Sequence, residues 1–176
     1  MTGDEIRSCL EHVKVAATAR FVYPMLAFVA LTGCRRSEML RSQIDDIDFD
    51  EEIIHIREKK RDTSKEFTMR SVDLHPLLGG VLVAWLKDHP GGQHTFVLED
   101  GRTLTTNMVS DHLNRTLGQC ERWRNVPGFH TFRHSFASIL ACKGVDQRIT
   151  SPRRTCPRIR ARTFVRTSVA SSIRST

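Results

Sequence analysis

Residues 31–40 read LTGCRRSEML. A threonine–glycine pair ends a largely apolar stretch, two arginines follow, and a glutamate stands three residues after the first of them. Glycine past the last turn of a helix is a stop signal. The i, i+3 spacing of Arg35 and Glu38 then puts a guanidinium and a carboxylate within reach of each other at the start of a new short helix, predicted over Arg35–Arg41. Helix starts favour anions, and a guanidinium held there can grip two phosphate oxygens at once. Glu38 is placed to hold Arg35, because an arginine–carboxylate pair is geometrically demanding. Arg36 reads as an ordinary surface arginine.

A second stretch, HTFRHSFAS (130–138), places His130, Arg133 and His134 on one helical face, at i, i+3 and i+4. Metal, phosphate and water could each want that face. The His130–His134 spacing is that of a zinc-protease helix, but Thr131 stands where that motif needs a glutamate base. Arg133 would also set a fixed cation beside the metal. No metal and no other cofactor is expected. Taken with LTGCRRSEML, phosphate is the favoured partner.

Outward from these two stretches the pattern is mostly helical. Thr2 and Glu5 form a capping box that starts a first helix near residue 3. A second, apolar helical stretch is predicted from about Val15 to Leu31, with Pro24 opening a fresh segment. After the Arg35–Arg41 helix, IDDIDFDEE makes a turn and IIHIREK (53–59) alternates as a strand. Lys60–Glu66 is a hairpin tip, and FTMRSVDL (67–74) returns as the partner strand. Pro76 starts a helix through about Asp88. HTFVLED is a short strand or extended piece, residues 104–123 are a helix, and a last helix runs from about Thr131 to Lys143. The fold class is α+β, mostly α, with a small antiparallel hairpin or sheet.

Composition narrows the function. The 176 residues suit one domain, and the acidic, polar start MTGDEIRSCLEH is not a secretory signal. No apolar run is long enough to span a bilayer, so no membrane partner is expected. The five cysteines are scattered and never form a C-x-x-C pair, which fits a reducing cytoplasm. A net charge of +7 suggests a nucleic-acid partner. Of the 27 lysines and arginines, however, seven sit in 150–176 with no acidic residue, so 20 remain in 1–149 against all 20 acidic residues. The body, 1–149, is balanced. The tail, 150–176, keeps no period of 2 or 3.6, and disorder is expected there.

TGCRRSEML, then IDDIDFD, a lysine-bearing hairpin ending RSVDL, and HTFRHSFAS together resemble the catalytic domain of tyrosine recombinases, the phage integrase family. All four pieces stand in family order, over roughly residues 5–149. The resemblance implies helices around a small sheet and a DNA partner, with other recombinase protomers beside it. It implies that Arg35 and Arg133 clamp the non-bridging oxygens of a scissile phosphate, and that His130 takes part in proton transfer. A hairpin lysine would protonate the leaving 5′-oxygen. Lys60 is favoured, with Lys59 and Lys65 as alternatives. Glu38 supports Arg35, and His134 packs or hydrogen-bonds beside the site.

Past Ile149 the family pattern calls for a Gly-His helix and a tyrosine nucleophile, and neither is present. The one tyrosine, Tyr23, lies in the apolar helix ahead of Arg35, a packing position, so no nucleophile is found. The chain also begins at the catalytic domain, without the helical DNA-binding half that usually precedes it. The expectation is a truncated site-specific recombinase, of DNA integration and recombination by ancestry, that cannot complete strand transfer. The alternatives are a non-catalytic DNA-binding protein and, more distantly, a type IB topoisomerase-like domain. The abrupt change at Thr150 reads as translation in a shifted frame. Another frame of the coding DNA from codon 149 is then expected to restore Gly-His and a downstream tyrosine; if neither alternative frame does, there was no shift.

Overall fold

The computed structural model describes residues 1–59 and 67–142. The predicted hairpin tip and the tail lie outside the described residues. The first helix, α1 (Gly3–Ala16), starts at the predicted capping box: the Glu5 backbone N–H donates to Thr2 Oγ1 at 3.2 Å, and the Thr2 N–H donates to the Glu5 carboxylate at 2.7 Å. Its stripe of Ile6, Cys9, Leu10 and Val13 is buried. The apolar stretch that follows does not start a helix at Val15 as expected. α1 continues to Ala16, residues 17–21 break the chain, and α2 spans Val22–Thr32. Pro24 enforces that break, since its ring clashes with the carbonyl four residues back and is tolerated only in a first turn.

α2 is apolar on all sides, and nine of its eleven residues are buried, so it forms the centre around which the other elements pack. It contacts α1, α4 (Pro76–Lys87), α5 (Thr106–Gly118) and α6 (Phe129–Cys142). Beyond it comes the short α3 (Arg36–Arg41), then a single 3₁₀ turn over Ile44–Asp46. The sheet is antiparallel, in the order β1 (Ile47–Asp48), β2 (Ile53–Lys59), β3 (Phe67–Asp73). The hairpin matches the expected strands, whereas β1, at two residues, is too short to show alternation. HTFVLED forms no strand; His94 and Val97 make only isolated bridges, to Gln43 and Thr103. The predicted 104–123 helix ends at Gly118, and α6 begins two residues before its expected start.

Sheet register places Ile54 opposite Val72 and Ile56 opposite Arg70. Paired residues share a face, so Arg70 stands in the row of Ile54, Ile56 and Val72, which are buried. A guanidinium on a core-facing row needs a carboxylate, and α3 provides one.

The corner between α2 and α3 is held by Thr32 and Gly33. Thr32 Oγ1 donates to the Phe28 carbonyl at 2.7 Å, and the Gly33 N–H donates to the Val29 carbonyl at 3.0 Å. Gly33 has φ +60°, and a Cβ there would overlap the Phe136 ring of α6. Glycine is therefore required both by the left-handed backbone and by the close approach of α6. Gly33→Ala is expected to cost about 2–4 kcal/mol in chemical denaturation, combining left-handed strain with overpacking.

Candidate phosphate-binding site

The sharp corner after Gly33 leaves Arg35 as the N-cap of α3, with extended φ and ψ. Its own N–H donates to Glu38 Oε2 at 2.8 Å, and its guanidinium donates to Glu38 Oε1 at 2.6 Å. This is the pair that the i, i+3 spacing predicts, and it supplies the glutamate half of a capping box. Glu38 is only 2% exposed.

Two further arginines converge on the same carboxylate. Arg70 of β3 lies 3.5 Å from Glu38 Oε2 and also donates to Glu58 at 3.0 Å. Arg133 of α6 lies 4.0 Å from Glu38 Oε2 and donates to the Gly33 carbonyl. Burial pushes the Glu38 carboxyl upward. The hydrogen bonds from the Arg35 N–H and guanidinium, with the charges of Arg70 and Arg35, outweigh that and hold it below the ordinary glutamate value. Arg133 is shifted the other way. Its burial and the nearby Arg35 charge pull it below the ordinary guanidinium range, and Glu38 offsets this only in part. Arg133 is thus a cation whose nearby carboxylate compensates it only in part.

The three segments enclose a cleft of about 190 Å³. Arg35 and Arg36 line it from the α2–α3 corner, Ser110 and Asn114 from α5, and His130 and Arg133 from the first turns of α6. His130 is exposed, one turn before Arg133. The structure therefore brings together Arg35, Glu38, His130 and Arg133, which lie almost 100 residues apart in the chain. His134 is exposed and does not line the cleft, and among the described residues no hydrogen bond reaches its ring. Of the lysines, Lys59 ends β2; Lys60 and Lys65 lie outside the described residues.

Two arginines escaped the sequence reading. Arg70 left a signal, as a charge on the core-facing row of an alternating strand. Arg36 left none, because its neighbours on α5 are 74 residues away. A separate pair stabilises the turn before the sheet: Arg57 Nε donates to Asp46 at 2.7 Å and Arg57 Nη2 at 2.8 Å, with Asp46 itself 2% exposed.

The model of the phage integrase family matches residues 1–151. The type 1 fimbriae regulatory protein FimB of Escherichia coli (strain K12) is 24% identical over 149 residues, covering 85% of this chain and 74% of FimB. Among solved structures, XerA recombinase superposes with a TM-score of 0.65 at 21% identity, covering 85% of this chain and 53% of that one. The Tn1549 transposon integrase, solved with circular intermediate DNA, gives 0.69 at 18% identity, covering 85% and 54%. The chain thus spans about half the length of these solved proteins, and the likeness is one of fold.

Removing Glu38 leaves Arg70 and Arg133 facing each other without their shared anion. Glu38→Ala is expected to lower stability by about 3–5 kcal/mol, read by urea unfolding. Because the folded-state carboxyl sits below its ordinary value of 4.5, its contribution is present above that pH and is lost as pH falls through the folded value. Glu38→Gln should accordingly flatten the acid limb of the stability curve.

Proposed function

Because the chain belongs to the phage integrase family, we propose that its cleft clamps a DNA backbone phosphate, with Arg35 and Arg133 as the paired ligands. The observation that carries this reading is the convergence of both guanidiniums on one buried carboxylate, Glu38. A carboxylate behind two arginines fixes their direction while leaving their outer N–H donors free for non-bridging oxygens. Donors fixed in advance are the form of stabilisation that phosphoryl transfer uses, since charge builds on those oxygens in the transition state.

His130, exposed at the mouth of the cleft, is assigned to proton exchange with the attacking oxygen. Protonation of the leaving 5′-oxygen falls to a lysine of the β2–β3 hairpin, with Lys60 favoured over Lys59 and Lys65. Neither step needs a metal or cofactor. Recombination and integration of DNA, alongside further protomers, is the activity toward which the family and the DNA-bound relatives point. A DNA-acting protein with four free cysteines among its described residues fits the cytoplasm.

The nucleophile is the missing part. Tyr23, the one tyrosine in these 176 residues, sits in the first turn of α2, whereas the cleft lies beyond the far end of that helix. Ten residues at 1.5 Å rise put roughly 15 Å between them. Tyr23 is also partly buried against the core. These 176 residues are therefore proposed to bind a DNA phosphate without forming a covalent intermediate, and a purely DNA-binding role is the second reading.

A nicked suicide duplex distinguishes the cases. The full chain is expected to retard the duplex in a native gel and to leave no denaturant-resistant adduct; an adduct would overturn the non-covalent reading. Arg133→Ala is expected to weaken binding by about 1.5–3 kcal/mol, the loss of a charge-assisted contact. Unchanged affinity would remove Arg133 from the clamp.

A further inference from the structure

Arg36, which the sequence presents as an ordinary surface arginine, lines the same cleft from the corner opposite α5. Its Nη1 donates to Ser110 Oγ at 2.7 Å, and the Ser110 hydroxyl donates in turn to the Thr106 carbonyl at 3.0 Å within α5. The serine proton is thus committed to its own helix, and its oxygen is left as an acceptor that ties Arg36 to the cleft wall. Four other arginines nearby each have a carboxylate: Arg35 has Glu38, Arg57 has Asp46, Arg70 has Glu38 and Glu58, and Arg133 reaches Glu38. Among the described residues, no carboxylate lies within salt-bridge distance of Arg36. A guanidinium carries five N–H donors and no acceptor, so most of its donors stay open to the cleft.

We infer that Arg36 is a second phosphate ligand, steered by Ser110, that grips the backbone phosphate next to the one held by Arg35 and Arg133. The inference rests on the reading of the cleft as a phosphate clamp and extends it along the strand. The geometry favours the adjacent phosphate. Arg35 is turned back onto Glu38 of α3, while Arg36 reaches away to α5, so the two consecutive guanidiniums open in different directions. A DNA strand offers a fresh phosphate about every 3.4 Å of helix axis, so a ligand displaced along the cleft meets the next one. Among the described residues, four guanidiniums (Arg35, Arg36, Arg70 and Arg133) face two carboxylates (Glu38 and Glu58), an excess of two positive charges that suits two phosphates.

The test is the salt dependence of binding to a short random-sequence duplex, measured on the full chain and on R36A, R36K, S110A and R133A. One lost phosphate contact lowers the slope of log affinity against log salt by about 0.9, so the gap between wild type and R36A should narrow about threefold between 50 and 200 mM salt. R36K, which keeps the charge, should hold the wild-type slope. S110A should bind more weakly at an unchanged slope, because it loosens Arg36 without removing its charge. If R36A keeps the wild-type slope while R133A loses its share, the inference about Arg36 is wrong and the clamp stands. If neither slope changes, the clamp itself is wrong. S110A binding with wild-type affinity would overturn the steering role of Ser110.

Discussion

A single buried carboxylate organises the candidate site of this protein. Glu38 is 2% exposed, and a charge so placed is tolerated only with close counter-charges. Its partners come from three distant places in the chain: Arg35 from the α2–α3 corner, Arg70 from the inner face of the hairpin, and Arg133 from α6. The corner, the sheet and the last described helix must all dock before the charge is balanced. The need to satisfy Glu38 therefore couples folding of the domain to assembly of the cleft. Gly33 serves the same end sterically: it admits the Phe136 ring and offers its carbonyl to Arg133.

That arrangement leaves a deliberate imbalance. Arg35 and Arg70 are drawn tightly to carboxylates, whereas Arg133 is weakly compensated and Arg36, among the described residues, is held by a serine alone. Like charges held close in a partly buried cleft repel one another, which is what the proposed phosphate would offset. Electrostatic preorganisation of this kind needs no large net charge, which explains how a body with equal numbers of acidic and basic residues can present a cationic site. The excess is local, and pairing concentrates it.

The sequence made much of this legible because local chemistry carried it. The Thr2–Glu5 box, the Thr32–Gly33 stop and the Arg35–Glu38 pair each reach no more than four positions along the chain, and each forms as its spacing dictates. His130 and Arg133 could be placed on one face from helical period alone. What stayed hidden depends on tertiary contact. Nothing near Arg36 in the chain announces Ser110 on α5. Arg70 showed only as a charge on a strand row that the core claims. The second helix starts later than the expected Val15: the apolar run crosses residues 17–21 without a clear compositional change, and only the proline ring decides where α2 can begin. His134 kept its helical position without joining the cleft.

Whether Glu38 acts on phosphate binding through the arginines it holds is measured directly by a double-mutant cycle. DNA affinity would be compared for wild type, Glu38→Gln, Arg133→Ala and the double variant, at a temperature where circular dichroism shows all four folded. If the carboxylate positions Arg133, the two substitutions couple by at least about 1 kcal/mol, because each removes the same interaction. If their effects on affinity simply add, to within about 0.5 kcal/mol, Glu38 is only a structural charge and the account of the cleft as a carboxylate-organised clamp is contradicted.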